Sequence, residues 1–323
     1  MQMQDCLASY LRKEQNVGYH CVVCVKQVPD TKRITGEAMK DDGTVNRAAL
    51  PAVFNPEDLN ALEEALAVRD AHGGQVTVVT MGLPAACDVL REALYRGADQ
   101  VVLITDRRAA ASDTLATSYI LSCAVKRLKA DIVFCGRQAI DGDTAQVGPQ
   151  LAEKLGFGLL TYLEELQGIE DGAIRIKRNV GNGWEVVAAK LPAVVTVMET
   201  ANTPRPAAVK RVMKYKKARA KAEVEKAVHE AMKNDYENYA EELMEGETLK
   251  AVAALEGKGL LIEQWDLDDV EADLAWCGRD GSPTKVHRIQ AVVLTGGEHK
   301  AFEPTDAGIN QMVAELIEDH TIG

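Results

Sequence analysis

The sequence predicts an α/β protein with a parallel sheet and helices on both faces. Three observations carry that prediction. Short strand-like runs alternate with stretches of helical periodicity through the first two thirds of the chain. Ala130-Asp131-Ile132-Val133-Phe134-Cys135 is apolar in the manner of a strand buried on both faces. A glycine-bearing loop, Gly136 to Pro149, joins that run to a helix, which is where such sheets hold nucleotides.

The elements follow in order. Tyr19–Gln27 reads as the first strand; within it Cys21 and Cys24, three residues apart, point to opposite faces and read as core thiols despite their C-x-x-C spacing. Pro56–Asp70 is a helix with Leu59, Leu62, Ala65 and Leu66 on one face. Gln75–Thr80 is a strand, Pro84–Arg96 a helix, Gln100–Ile104 a strand, Thr114–Leu128 a helix and Asp131–Cys135 a strand. Gly136 lets the chain turn, and Gly142 and Gly148 allow backbone to approach a ligand closely. Asp143 and Gln146 have capping spacing, whereas Pro149 suits a first-turn position, so the helix start is open between Asp143 and Gly148. The helix stops at Gly156.

Backbone N–H groups at such a helix start suit a phosphate, and Gln138, Thr144 and Gln146 offer amide and hydroxyl groups for ribose and base. The loop is neither the dinucleotide G-x-G-x-x-G nor a P-loop.

Beyond the loop, Ala173–Lys177 and Trp184–Lys190 read as strands of a hairpin around Gly181-Asn182-Gly183, and Ala193–Val197 as a buried strand. Thr200–Val209, with Pro204 and Pro206, excludes regular helix or sheet. Lys210 to Arg219 is a basic run, read as a solvated helix end or a steering surface for an acidic partner. Ala291–Thr295 suggests a strand, and Thr305–Asp319 an amphipathic helix with Ile309, Met312, Val313 and Leu316 on one face.

Composition narrows the function. A net charge of −12 over 323 residues disfavours nucleic acid or an anionic membrane surface as the main partner. No apolar run approaches the roughly 20 residues of a membrane helix, and Met1–Gln15 lacks a signal-peptide core, so the expected compartment is the cytoplasm. Seven scattered cysteines suit a reducing compartment, and six histidines show no metal-ligand spacing, so no metal site is predicted.

The loop Gly136-Arg137-Gln138-Ala139-Ile140-Asp141-Gly142-Asp143-Thr144-Ala145-Gln146-Val147-Gly148-Pro149 resembles the signature of the β subunit of electron transfer flavoproteins. Val25 to Thr31, Asn55-Pro56 with Asn60 to Ala65, Met81-Gly82, Arg96 to Asp99 and Lys190 to Thr196 match in the same order, densely to about Lys217 and thinly beyond. The resemblance implies a Rossmann-like fold, adenine nucleotide alpha hydrolase-like, plus a C-terminal arm. It divides the chain into an extension (1–18), a nucleotide-binding α/β domain (19–228) and an arm packing on an α subunit (229–323).

It also implies an adenine nucleotide site formed by Cys24, Asn55, Pro56, Glu57, Asp58, Val78, Met81 and the loop from Gly136 through Arg137, Gln138, Ala139, Ile140, Asp141, Gly142, Asp143, Thr144, Ala145 and Gln146 to Val147. Several of these fall at the carboxyl ends of the expected strands. About 198–210 resembles the loop that docks on a partner dehydrogenase, with Asn202, Pro204 and Arg205 keeping the pattern and Val209 in place of an apolar anchor.

Two segments resemble the electron-bifurcating type: Asp141–Pro149, and Thr105-Asp106-Arg107 with Ser112–Ser118, although Ala109 and Ala111 stand where an aromatic residue and a glycine are common. That type implies FAD at the site and NADH as donor, in an NADH-oxidising complex. One electron would pass to ferredoxin or flavodoxin and one, through the α subunit's FAD, to an acyl-CoA dehydrogenase. A non-bifurcating subunit holding structural AMP at the same site is the alternative. No acid–base catalyst is implied, because the redox chemistry is the cofactor's.

Overall fold

The computed structural model describes residues 18–30, 50–235, 241–285 and 300–318. Two compact units are present, Met1–Ile34 with Leu50–Val286, and Thr35–Ala49 with His287–Gly323.

In the first unit the order is β1 (Tyr19–Cys24), β2 (Gln27–Pro29), β3 (Ala52–Phe54), α1 (Pro56–His72), β4 (Gly74–Met81), α2 (Cys87–Arg96), β5 (Gln100–Ile104), α3 (Thr114–Leu128), β6 (Ile132–Gly136) and α4 (Val147–Leu155). Then come β7 (Gly158–Glu170), β8 (Ala173–Asn179), β9 (Trp184–Lys190), β10 (Ala193–Val197), α5 (Val209–Tyr215), β11 (Arg219–Ala220), α6 (Lys221–Asp235), α7 (Glu241–Glu256), β12 (Leu261–Trp265) and α8 (Gly278–Gly281). The second unit contains α9 (Asp306–Glu318).

A ten-stranded sheet runs β11-β12-β5-β4-β1-β6-β10-β7-β8-β9, with β2 and β3 a separate antiparallel pair. Every pairing from β11 to β7 is parallel, and β7-β8-β9 is an antiparallel meander. The α/β architecture and the helices on both faces are as predicted. Cys21, Val23, Val76, Val78, Ile132 and Phe134 face one core with α1 and α2, while Val22, Cys24, Val79, Val133 and Cys135 face the other with α3 and α4. Cys21 and Cys24 therefore serve two different cores. Each fully buried aliphatic side chain such as Leu66 contributes about 1.5–3 kcal/mol.

Some elements differ from expectation for local reasons. β1 stops at Cys24: the Val25 N–H still reaches the Val79 carbonyl of β4 (2.9 Å), and the Lys26 N–H then turns to Asp58 (2.8 Å). A 3₁₀ turn, Pro84–Ala86, precedes α2. A long strand, β7, lies where no element was expected. β12 pairs with β5 and carries the chain back into the sheet, and the first unit runs to Val286.

The expected strand at Ala291–Thr295 and the extension 1–17 lie outside the described residues. Among the described residues no helix is long and apolar enough to cross a membrane, and no cluster of His, Cys, Asp or Glu is arranged to hold a metal.

Candidate nucleotide cleft

From β1 the chain passes to β4 and β5 on one side, and β6 and β10 lie on the other. The crevice at the carboxyl ends of β1 and β6 is thus the topological switch point, where ligands bind in open α/β sheets. Register pairs Cys24 with Cys135 at its floor. A cavity of about 440 Å³ opens above them, bounded by Met81, Asp58, residues 136–139 and 144–148, and a wall from Ser112 to Thr117. That volume falls in the range of small-molecule sites, roughly 300–1,000 Å³. Burial pushes the Cys24 thiol up to about 12 and Cys135 well above its ordinary value, so both remain neutral, soft floor groups and not nucleophiles.

The start of α1 straps the loop after β6. Asp58 accepts from the N–H of Lys26 (2.8 Å) and of Gly136 (2.9 Å), tying the ends of β1 and β6 across the crevice. Glu57 accepts from the Gln138 N–H at 2.9 Å and pairs with Arg137 at 2.8 Å. Asn55 donates to the Gln138 carbonyl (2.9 Å) and accepts from the Ile140 N–H (3.1 Å). Gly136 is needed here because a Cβ would lie 2.6 Å from Asp58 Oδ1.

Past Ala139 the loop turns through Asp143 and Ala145, both left-handed (φ 47° and 50°), a strained arrangement for residues with a Cβ. Lys26 pairs with Asp141 (2.7 Å), and Gln138 donates to Asp143 (2.9 Å). Asp143 is therefore not the helix cap its spacing suggested. The helix begins at Val147, Pro149 falls in the first turn, and Gln146 makes no side-chain capping bond. The first helical bond is Gln150 N–H to Gln146 C=O (3.0 Å), which leaves the N–H groups of Val147 and Gly148 ahead of the ladder at the rim of the cleft. A Cβ on Gly148 would stand 2.6 Å from Thr196 Cγ2, so glycine seats α4 on the sheet. A Cβ on Gly142 would meet nothing within 4 Å.

Of the expected site residues, Cys24, Asp58, Met81, Gly136, Arg137, Gln138, Ala139, Gly142, Thr144, Ala145, Gln146 and Val147 line the cleft. Asn55 and Glu57 stand behind the loop as its scaffold, and Pro56 opens α1 beside them. Ile140, Asp141 and Asp143 belong to the loop but are not among the lining residues. The Val78 side chain is buried in the core of the opposite face.

Sequence reasoning left out of the site the wall Ser112, Asp113, Thr114 and Thr117, although that motif was in view. Thr114 donates to Gln146 at 2.7 Å, joining the starts of α3 and α4. The donor set of amides, hydroxyls and free helical N–H groups fits a phosphorylated nucleoside. So does the buried Arg137 Nε, which has no partner within the protein.

The segment before α5 lies outside this cleft. Asn202 donates to Asn60 O (3.0 Å) and Glu64 (2.8 Å), and Arg205 grips Glu63 (2.9 Å) and Asp70 (2.9 Å), so α1 holds it. Pro204 lies between these anchors, and Val209 opens α5 with 77% of its surface exposed.

A family model described as the electron transfer flavoprotein domain matches residues 42–231. An electron transfer flavoprotein subunit beta from Clostridium acetobutylicum is 37% identical over 301 residues, covering 93% of this chain and 99% of that protein. Protein FixA of Azorhizobium caulinodans is 46% identical over 206 residues, 62% of this chain and 73% of the relative. Subunit CarD of the caffeyl-CoA reductase-Etf complex of Acetobacterium woodii is 34% identical over 304 residues, 93% of this chain and 99% of the relative.

Proposed function

The chain belongs to the electron transfer flavoprotein family as a β subunit, and on that premise we propose that it is of the electron-bifurcating type, with FAD held in the cleft between β1 and β6. Membership implies an α-subunit partner. The observation that carries the finer reading is the 2.7 Å bond between Thr114 and Gln146. It brings the two segments that resemble the bifurcating form, some thirty residues apart in sequence, onto one cleft. A relative named as a subunit of a caffeyl-CoA reductase-Etf complex supports an acyl-CoA-reducing partner.

In this reading the N–H groups of Val147 and Gly148 receive a phosphate at the positive end of α4. Thr144, Gln146 and Thr114 address hydroxyl groups, and Cys24, Cys135 and Met81 supply an apolar floor. Asn55, Glu57 and Asp58 hold the loop in shape before ligand arrives, so its ordering is not charged against affinity. When bound, FAD supplies the redox chemistry: hydride from NADH, one electron to ferredoxin or flavodoxin, the other by way of the α subunit's FAD to an acyl-CoA dehydrogenase. No side chain is assigned a proton-transfer role.

The test is to co-express the chain with its α subunit, denature the purified heterodimer and quantify the nucleotides released. Two FAD per heterodimer, with flavin reduced anaerobically by NADH, is the expected result. One FAD and one AMP would make this a non-bifurcating carrier and overturn the proposal.

A further inference from the structure

The cleft wall formed by Ser112, Asp113 and Thr114 is held from behind by a segment far along the chain. Ser282, 169 residues after Asp113, accepts from the Asp113 N–H at 2.9 Å. The same buried hydroxyl donates to the Gly278 carbonyl at 2.6 Å. Gly278 in turn donates to Ser112 Oγ (3.1 Å), and Ser112 Oγ donates to the Ala109 carbonyl (2.8 Å). The carboxylate of Asp113 is divided, one oxygen capping α3 at Ala116 N–H (2.9 Å) and the other accepting from Thr284 N–H (2.9 Å). Gly278 has φ 61°, and a Cβ there would lie 2.1 Å from the Arg108 carbonyl, so the approach of this segment to the wall requires glycine.

We propose that Ser282 is a positioning residue for nucleotide binding, fixing the Ser112–Thr114 wall of the cleft from behind. The proposal rests on the reading that the cleft holds a nucleotide. Ser282 does not line the cavity, whereas Asp113 and Thr114 do, and Thr114 passes the constraint to the opposite wall at Gln146. A hydroxyl that both accepts and donates in a buried place fixes two backbone groups at once; its loss leaves the Asp113 N–H and the Gly278 carbonyl without partners. The wall then has to be ordered by the ligand, at the expense of affinity. Thr284, two residues after Ser282, adds a second tie to Asp113 from the same segment.

The experiment uses the heterodimer stripped of nucleotide and titrated with FAD, with AMP as a second titrant. Ser282→Ala is expected to weaken the tighter-binding nucleotide about tenfold. Ser282→Thr, which keeps the hydroxyl, is expected to stay within about threefold. Ser282 holds the Asp113 main-chain N–H, which no side-chain change at Asp113 removes, so the comparison of Ser282→Ala with Ser282→Thr isolates the hydroxyl. Unchanged affinity in Ser282→Ala, or a loss in Ser282→Thr as large as in Ser282→Ala, overturns the proposal.

Gly142→Val separates this failure from failure of the site itself, since Gly142 lines the cleft and the added Cβ meets no protein atom within 4 Å, so a loss of affinity would not come from crowding within the protein. Full affinity in Gly142→Val would overturn the cleft reading and this proposal with it. Release by Gly142→Val with full affinity in Ser282→Ala would overturn the role of Ser282 alone.

Discussion

Asp58 places a carboxyl group where its charge is costly. Burial pushes its pKa up to about 7 from 3.8, against the opposing pull of the Lys26 and Gly136 N–H bonds, with Glu57 adding a smaller upward push. The folded protein then holds this proton more tightly than the unfolded chain, so between about pH 4 and pH 7 the native state binds more protons. The contribution of Asp58 to stability is full below the unfolded value, falls as pH rises through that window and is flat above it. Asp58→Asn removes the titration and also sets an amide N–H₂ against one of the two backbone donors, a cost of about 1–3 kcal/mol. Urea unfolding of the heterodimer should show a penalty larger at pH 5 than at pH 8. A penalty that grows with pH would mean that the two N–H groups stabilise the anion more than burial opposes it.

At the scale of elements, what was legible in the sequence is what obeys a single period. α3 and β5 fall on their expected residues because apolar spacing and the flanking polar residues agree. β7 was not legible. Tyr162 and Gly168 take positive φ (58° and 150°), and register shifts against β8 and β10 break the alternation of two that marks a half-buried strand. The loop between β6 and α4 was legible as a loop at the carboxyl edge of the sheet, whereas the helix start after it was not, because the Asp143 carboxylate accepts from Gln138. The wall at Ser112–Thr117 escaped the site assignment because only the pairing of α3 with α4 brings it to the cleft. The segment before α5 is likewise built by tertiary contacts: Arg205 and Asn202 bind it to α1, leaving Val209 free at the surface. If that segment docks a dehydrogenase, Val209→Asp should lower electron transfer to the partner about tenfold or more. Flavin reduction by NADH and thermal stability should not change, because an exposed side chain carries no core packing. Equal loss of both activities in steady-state and single-turnover assays would contradict a docking role.

At the scale of the whole molecule, the second compact unit carries a helix with an apolar stripe of its own. Along α9, Ile309, Met312, Val313, Leu316 and Ile317 recur at helical spacing, and Ile309 and Ile317 remain 51% and 53% exposed. The ion pair of Lys300 with Glu315 (2.6 Å) lies on the surface and contributes little. A 13-residue helix is marginal alone in water, and most helical stability comes from burying an apolar face. An apolar stripe of this kind calls for a surface to bury it, and family membership supplies a candidate in the α subunit. Ile317→Asp, alone and with Ile309→Asp, should weaken heterodimer association about tenfold or more by sedimentation, as removal of a buried anchor does. The circular dichroism of the sheet unit should be unchanged. A double variant that assembles with the α subunit as tightly as the parent would mean that the stripe is covered by something else, and the α subunit would have to be held by the sheet unit alone.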